Sequence, residues 1–286
     1  MIRISDERID RLIAEDVPYL DLTTELLGIG DELGEIAFFT REDCVVAGTG
    51  VAGRIAERLG ATVTQAVADG SRARAGETLL TARGTAAQLH LAWKVSLNVL
   101  DHLSGVATRT RAMVDAAHAA NPACEVLTTR KSLPGAKDLL TLAVMAGGAW
   151  PHRLGLSETV LVFAQHTAFL GGFEGLLDAL PGIRARCAEK KVFVEADARQ
   201  ALVLARGAGG APLVDGIQLD KVPVAELAGL VREIRSIDPR LTLIAAGGVS
   251  EANAGAYAAT GVDGLATTAP FNAGPVDMSA RMTRLA

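Results

Sequence analysis

The sequence predicts an α/β protein in which a small antiparallel sheet or sandwich is followed by an open parallel α/β barrel. Residues 34–83 contain short strand-like runs interrupted by glycine, a pattern typical of antiparallel sheets and sandwiches. After residue 122, strand-like runs and helical segments alternate, with roughly 20–35 residues from one strand to the next. Because six such units are found, we expect an incomplete barrel instead of a closed eight-stranded one.

The N-terminal part of the chain begins with a predicted helix and a polar turn within residues 1–27. Strand-like runs follow in EIAFFT, CVVAGTGVA and TVTQAVADGSRARAGETLLTARG. A helix is then predicted over residues 85–103, because apolar residues recur there at mostly helical intervals. Gly105 is expected to end this helix, and a second helix is expected over residues 107–120.

Six later runs are the candidate strands of the barrel. They are Glu125–Thr129, Thr159–Phe163, Val192–Glu195, Gly216–Leu219, Leu241–Ala245 and Val262–Thr267. In parallel α/β barrels the catalytic groups lie at the C-terminal ends of the strands. We therefore expect the polar residues that follow these runs to meet at one end of the barrel.

Composition and charge exclude several classes of protein. The 286 residues carry a formal net charge of −5, whereas general affinity for nucleic acid needs a basic surface. The three cysteines and five histidines show neither the pairing nor the spacing of a zinc site. The start, MIRISDERIDRL, is too charged for a signal peptide, and no apolar run is long enough to span a membrane. We expect a cytoplasmic protein without nucleic-acid or membrane partners.

Two pairs of neighbouring cations lie close to predicted strands. Arg130 and Lys131 follow the first barrel strand, and His152 and Arg153 precede the second. Long charged side chains are almost never fully buried unless they are paired, so either pair alone is explained by a solvated loop. Arg and Lys together bind small polyanions well, because Arg offers a fork of donors and Lys a mobile charge. With the acidic residues of the later strands, the two pairs favour an anion site.

Carboxylates and glycines follow the later strands. Glu195 and Asp220 end two neighbouring strands, and Mg²⁺ is the ion that would bridge such carboxylates to phosphate oxygens. Gly247 and Gly248 form a predicted tight turn that opens a helix, a geometry that offers backbone N–H groups to phosphate. The last strand ends in Thr267, followed by Thr268, where phosphate sites of barrels recur.

These motifs resemble the quinolinate phosphoribosyltransferase family over nearly the whole chain. The resemblance lies in TRKSLPG, AGGAWPHRLGLSETVLV, FVEAD, GIQLDK and AAGGVS, and in EDVPYLDLTTELL, FTREDCVVAG and LNVLDHLSGVAT of the N-terminal half. Within the family, YLDLTT, AWK and LVFAQH are most similar to a homologue associated with molybdate transport. The resemblance implies an N-terminal α/β sandwich over 1–105, completed by 272–286, and an open α/β barrel over 106–271.

The resemblance also implies a role for each candidate site residue. Lys131, Glu195 and Asp220 would be catalytic, with Lys131 on phosphoribosyl pyrophosphate and the two carboxylates on the ribose and Mg²⁺. The acid substrate would be bound by Lys94, Arg130, His152, Arg153 and Phe163, and phosphate by Gly247, Gly248, Thr267 and Thr268. The family implies a homodimer with active sites at the subunit interface, which Lys94 would reach from the neighbouring subunit.

Departures from the family pattern concern mainly the acid-binding side. Lys94 replaces an Arg, Phe163 replaces a Lys that contacts the substrate carboxylates, and Ala164-Gln165 replaces Asp-Asn. Ala246, Thr268 and Asn272 also differ from the pattern, at the phosphate end. Phe163 would lie either towards the mouth of the site or towards the helix layer. If it faces the site, we expect an acceptor with fewer carboxylates than quinolinate, or a flatter and more apolar acid.

Three functions remain open from the sequence. The first is transfer of phosphoribosyl from phosphoribosyl pyrophosphate to the ring nitrogen of a small aromatic acid, either quinolinate itself in NAD biosynthesis or a related acid. The second is a non-catalytic anion- or metabolite-binding protein linked to molybdate utilisation, although such a protein has little use for Glu195 and Asp220. The third is an unrelated barrel enzyme, such as an aldolase with Lys131 as a Schiff-base amine.

Overall fold

The structure is a computed structural model that describes residues 2–207 and 212–286, in two compact units. The first unit comprises Met1–Arg111, Ser132–Gly148 and Pro270–Ala286, and the second comprises Ala112–Lys131 and Ala149–Ala269. No helix within the described residues has the length and apolar character needed to cross a membrane.

The first unit is built on a four-stranded antiparallel sheet. The unit contains six strands, four in this sheet and two in a separate pair. They are β1 (Leu33–Thr40), β2 (Cys44–Val45), β3 (Thr62–Ala66), β4 (Arg72–Ala73), β5 (Thr78–Thr85) and β13 (Met278–Arg284). The main sheet has the order β13-β1-β5-β3, and β2 pairs with β4. Alternate residues of β1 are buried, with Ile36 and Phe38 fully inaccessible, so one face of the sheet packs on the core.

The helices of this unit are α1 (Asp6–Asp16), α2 (Leu22–Leu27), α3 (Thr49–Arg58), α4 (Ala86–Ala120) and α5 (Lys137–Ala146), where α4 from Ala112 onward belongs to the second unit. Asp21 caps α2 by accepting from the N–H groups of Thr23 and Thr24. The run CVVAGTGVA was predicted to be a strand, but only Cys44–Val45 is one, and α3 begins at Thr49.

Helix α4 contradicts the prediction of two helices separated at Gly105. The helix continues through this glycine to Ala120. A Cβ atom at position 105 would lie 2.1 Å from the carbonyl oxygen of Gly274. The glycine therefore permits close approach of another backbone segment, and the modest loss of helix propensity is tolerated.

The second unit is a seven-stranded parallel half-barrel. Its strands are β6 (Glu125–Thr128), β7 (Trp150–Pro151), β8 (Val160–Val162), β9 (Val192–Ala196), β10 (Gly216–Asp220), β11 (Thr242–Ala246) and β12 (Gly264–Thr267), in the order β7-β6-β12-β11-β10-β9-β8. The open parallel barrel and all six predicted strands are confirmed, and β7 was missed. The remaining elements are α6 (Ala164–Thr167), α7 (Phe173–Arg186), α8 (Ala198–Arg206), α9 (Val224–Ile237), α10 (Ala254–Ala258) and the 3₁₀ turn η1 (Ala269–Asn272).

A cluster of apolar side chains fills the inner face of the half-barrel. It consists of Leu127, Leu161, Phe193, Ile244, Ala246 and Ala266, with Phe163 packed against it. Strands from both ends of the sheet meet in this cluster, so it lies on the concave face. Side chains alternate between the two faces of a strand, and residues two positions beyond cluster members therefore also face inward. This rule brings Glu195, Thr129 and Thr268 to the inner face at the C-terminal ends of the strands.

Candidate functional site

Two carboxylates lie side by side at the C-terminal ends of β9 and β10. Glu195 is paired in register with Gln218, two residues before Asp220. The Nε2 group of Gln218 donates a 2.6 Å hydrogen bond to Oε2 of Glu195, and Gln218 itself is buried. Glu195 and Asp220 both line a cavity of about 200 Å³. The strands thus hold both carboxylates at one end of the half-barrel.

The electrostatic environment of Glu195 is unfavourable for its charge. Burial raises the pKa of this carboxyl group, and the neighbouring charge of Asp220 raises it further. The hydrogen bond from Gln218 and the charges of Lys131 and Lys221 oppose the rise, but the pKa stays above its ordinary value. Burial is the larger cause of the rise and the charge of Asp220 the smaller one, and a cation bound between the two carboxylates would oppose both effects.

Lys131 and Arg130 follow β6 and are exposed to solvent. The N–H group of Lys131 donates to the hydroxyl of Thr129, which is itself 2.8 Å from the hydroxyl of Thr268. The two threonines join the ends of the neighbouring strands β6 and β12. This contact fixes the start of the cationic loop beside the inner face.

The Gly247-Gly248 turn follows β11. Both glycines have positive φ angles, 86° and 79°, which residues with a Cβ rarely adopt. A Cβ at Gly248 would meet nothing within 4 Å, so the space beside Gly248 is open. The helix predicted to begin here starts only at Ala254 and has five residues. A phosphate would therefore contact the N–H groups of the turn and gain little from a helix dipole.

Thr267 differs from the other predicted phosphate-binding residues. Its side chain is buried, and its hydroxyl donates a 2.8 Å hydrogen bond to the carbonyl of Val249. It also accepts from the N–H group of Ala269. Because strand residues alternate in direction, Thr268 faces inward and Thr267 does not. The hydroxyl of Thr267 therefore holds the loop after the glycine turn, and a role of Thr267 in binding phosphate stays a prediction.

Arg153, Phe163 and His166 form a stack at the end of β8. The guanidinium carbon of Arg153 lies 5.8 Å from the centre of the Phe163 ring, and the His166 ring stacks on Phe163 at 5.9 Å. The N–H group of Phe163 donates to Nδ1 of His166, which leaves Nε2 to carry the proton of the neutral imidazole. Phe163 therefore faces the interior of the half-barrel, one of the two orientations that the sequence allowed.

The guanidinium of Arg153 is incompletely paired. The residue is 9% exposed, and its buried Nε atom has no hydrogen-bond partner, while Nη1 makes a long contact of 3.4 Å to the carbonyl of Thr159. Burial lowers the pKa of Arg153, and the charge of Arg130 lowers it further. A buried cation with free donors is suited to bind an anionic group.

His152 lies in a different cavity from the carboxylate pair. This cavity, of about 430 Å³, is lined by His152 together with residues at the N-terminal ends of strands, among them Glu125, Trp150 and Lys191. Burial lowers the pKa of His152, as does the charge of Arg153, so its neutral form is favoured. His152 was grouped with Arg153 as a substrate-binding residue, and this role stays a prediction for a residue that lines the second cavity.

Lys94 lies on α4 in the first unit and is exposed to solvent. Its neighbour Trp93 is 42% exposed and lines a cavity of about 480 Å³ with Leu20, Leu22 and Leu27.

The structure brings together Glu195, Asp220, Lys131 and the glycine turn around the C-terminal ends of the strands. It adds Gln218, Thr129 and His166, which the sequence did not single out, and it places Lys221 at the strand end where the sequence has it after Asp220. Of these, Gln218 could have been found from the sequence, since it is a polar residue two positions before Asp220 in an otherwise apolar strand.

Comparison with known proteins adds the family context. The model of the quinolinate phosphoribosyl transferase C-terminal domain matches residues 106–281, and that of the N-terminal domain matches residues 21–104. A protein of Rhodobacter capsulatus named as the pyrophosphorylase ModD is 44% identical over 255 residues, which cover 89% of this chain and 96% of that protein.

Two further similarities are to an enzyme sequence and to a solved structure. The carboxylating nicotinate-nucleotide pyrophosphorylase of Mycobacterium leprae is 37% identical over 270 residues, covering 92% of this chain and 91% of that enzyme. The crystal structure of NadC from Streptococcus pyogenes superimposes with a TM-score of 0.88 at 25% identity and covers both chains completely. Similarity in sequence and fold thus extends over both units of the chain.

Proposed function

The chain belongs to the quinolinate phosphoribosyltransferase family, and on that premise we propose that it transfers phosphoribosyl from phosphoribosyl pyrophosphate to a small aromatic acid. The family is one of pentosyltransferases, so the chain is an enzyme of this class. The observation that carries the proposal is the carboxylate pair of Glu195 and Asp220, with Lys131 within electrostatic reach of Glu195. A protein that only binds oxyanions has no need of two carboxylates at its site.

The proposed reaction breaks the bond between C1 of the ribose and pyrophosphate and forms a bond from C1 to the ring nitrogen of the acid. Positive charge develops on the ribose while the leaving pyrophosphate gains negative charge. Glu195 and Asp220 would hold the ribose hydroxyls and stabilise the cationic sugar, and Lys131 would neutralise the leaving group. The glycine turn would bind the 5-phosphate through its N–H groups.

The donor groups of the site fit Mg²⁺. Mg²⁺ in such sites takes one or two carboxylates from the protein and further oxygens from substrate phosphates. Glu195 and Asp220 match this requirement, and a cation would favour the ionised form of Glu195, whose pKa is raised first by burial and then by the charge of Asp220. We include Mg²⁺ in the proposal, held by these two residues, where it would stabilise the charge of the leaving pyrophosphate.

The stack of Arg153 and Phe163 supports an acceptor other than quinolinate. An apolar ring occupies the position of a second cation, which removes one charged partner for a substrate carboxylate. Loss of such a contact costs roughly 1.5–3 kcal/mol. The unpaired Nε of Arg153 is a donor for one anionic group, and the ring of Phe163 offers a surface for an aromatic acid. We propose an aromatic acid with fewer carboxylates than quinolinate as the acceptor.

An assay for released pyrophosphate tests the proposed function. The protein is incubated with phosphoribosyl pyrophosphate, Mg²⁺ and each of a panel of pyridine and pyrimidine acids that includes quinolinate. We expect release that depends on both Mg²⁺ and one of the acids, with quinolinate among the weak acceptors. Binding of phosphoribosyl pyrophosphate without release by any acid of the panel would favour the anion-binding alternative. Efficient turnover of quinolinate would contradict the proposed acceptor but not the reaction.

An exposed apolar patch on the first unit supports a homodimer as part of the proposal. Tyr19, Leu20, Leu22, Leu26 and Leu27 are all at least 60% exposed, and three of them line one cavity with Trp93. Contiguous exposed apolar surface is typical of protein–protein interfaces. Because Lys94 directly follows Trp93, a second copy bound to this patch would bring Lys94 to the subunit interface.

A further inference from the structure

Lys221 has an unusual backbone conformation. It directly follows Asp220 at the C-terminal end of β10, and its φ angle is 55°. Among the residues that the structure describes, it is the one non-glycine residue with a positive φ. Left-handed conformations are unfavourable for side chains with a Cβ, and Asn, Asp or Gly adopt them more readily. Strained residues of this kind concentrate at functional sites.

The surroundings of Lys221 keep it in this conformation. Its N–H group donates a 2.8 Å hydrogen bond to the carbonyl of Ala246, at the end of the neighbouring strand β11. A Cβ atom at Gly247 would lie 2.5 Å from Cγ of Lys221. The absence of a side chain at Gly247 therefore makes room for the lysine chain beside the glycine turn.

Packing and ion pairing do not explain the strain. The Lys221 side chain is 79% exposed, so it contributes little to the core. Its Nζ atom is 3.6 Å from Oδ2 of Asp220, and an ion pair this exposed adds little to stability. The carbon chain of Lys221 thus runs beside Gly247, and its amine is held near Asp220 by a weak ion pair only.

We propose that Lys221 binds a phosphate group of the sugar substrate, as a second lysine opposite Lys131. This inference rests on the proposed function and adds a residue to the same site. Lys221 and Lys131 both act electrostatically on Glu195, so the two cations lie around the same carboxylate pair. Lysine presents a mobile point charge, and the amine can leave Asp220 for the more highly charged phosphate oxygens. The phosphate is either the pyrophosphate or the 5-phosphate of phosphoribosyl pyrophosphate.

Calorimetric titration with inorganic pyrophosphate and with ribose 5-phosphate, in the presence of Mg²⁺, tests this inference. The proteins compared are wild type, Lys221→Asn, Lys221→Arg and the control Lys190→Asn, which removes the same charge just before the N-terminal end of β9. We expect Lys221→Asn to bind one of the two ligands about tenfold more weakly or worse. Its melting temperature should equal or exceed that of wild type, because Asn tolerates the left-handed conformation. Lys190→Asn should bind both ligands as wild type does.

The outcomes separate this inference from the function on which it rests. Wild-type protein that binds neither ligand would overturn both. Unchanged binding of both ligands by Lys221→Asn would overturn the role of Lys221 and leave the proposed function intact. Lys221→Arg keeps the charge and should retain binding within about threefold. An equal loss of binding in Lys221→Arg and Lys221→Asn would mean a structural role for the residue and would also overturn the inference.

Discussion

Glu195 illustrates how one buried hydrogen bond prepares a charged group for its role. Gln218 is the register partner of Glu195 on the neighbouring parallel strand, and its amide group donates a hydrogen bond to the carboxylate. Without this donor, burial and the charge of Asp220 would favour the protonated acid more strongly. The position of the amide on a rigid strand also fixes the direction of the carboxylate. In the proposed reaction, Gln218 would therefore act through Glu195.

Glu195→Gln and Asp220→Asn should each lower kcat at least about a hundredfold, or roughly 3 kcal/mol, because each removes a carboxylate that would hold Mg²⁺ and the ribose. Neither variant should be less stable than wild type. The folded-state pKa of Glu195 is raised, so its ionisation destabilises the fold as the pH rises through that pKa, and Gln removes this penalty. Pyrophosphate release at saturating Mg²⁺ and thermal unfolding are the two measurements. Near-normal turnover in both variants would contradict the assignment.

Phe163→Lys, alone or with Lys94→Arg, should raise kcat/KM for quinolinate about tenfold, because it returns a cation to the acid-binding end. It should also lower the melting temperature without ligand, since the new charge lies beside the buried Arg153. Phe163→Leu is the matched control, which removes the ring without adding charge and should give no gain. Steady-state kinetics with quinolinate decide the question, and an equal gain in both variants would refute the electrostatic reason.

For single residues, the sequence predicts which polar residues lie at strand ends. It does not predict the direction in which every side chain points. Glu195 and Asp220 could be found because the strand ends were correct. Thr267 and Thr268 look equivalent in the sequence. Only the alternation of side chains along β12 shows that Thr267 is buried and holds a loop, whereas Thr268 faces the inside of the half-barrel. The stack of Phe163 on Arg153 depends on two loops of different strands, and no local pattern encodes that contact.

Among the helices and strands, α4 shows why a glycine in a sequence does not reliably predict the end of a helix. The same residue type ends helices and permits close backbone contacts, and Gly105 does the second. The parallel strands were predictable because each is an apolar run with turn residues on both sides. Strand β7 has two residues, too few to form a pattern, and α3 was hidden in a glycine-containing apolar run.

Gly105→Ala should destabilise the protein by about 1–3 kcal/mol, because the added methyl group would collide with the carbonyl of Gly274. Gly229→Ala is the matched control within α9, where a Cβ meets nothing within 4 Å. It should stabilise the protein by about 0.5–1 kcal/mol through helix propensity. Denaturant unfolding of both variants gives the comparison. Equal effects of the two substitutions would show that the contact at Gly105 is not tight.

At the scale of the whole molecule, the proposed dimer predicts complementation between inactive subunits. Lys94→Ala and Glu195→Gln should each be inactive alone. Mixed subunits should recover up to about a quarter of wild-type activity, because half of the dimers are mixed and each has one intact site. Activity is measured after subunit exchange has been verified with two differently tagged chains. A mixture that exchanges subunits and stays inactive would argue against a role of Lys94 in the partner's site.

The open form of the half-barrel has a consequence for solubility. A closed barrel has no free strand edges, whereas this sheet ends in β7 on one side and β8 on the other. Free edges can pair with another chain and begin aggregation, most readily when they are long and flat. Here the two edge strands are two and three residues long, so each offers few free backbone groups to an incoming strand. Short edge strands thus protect this open sheet from edge-to-edge association.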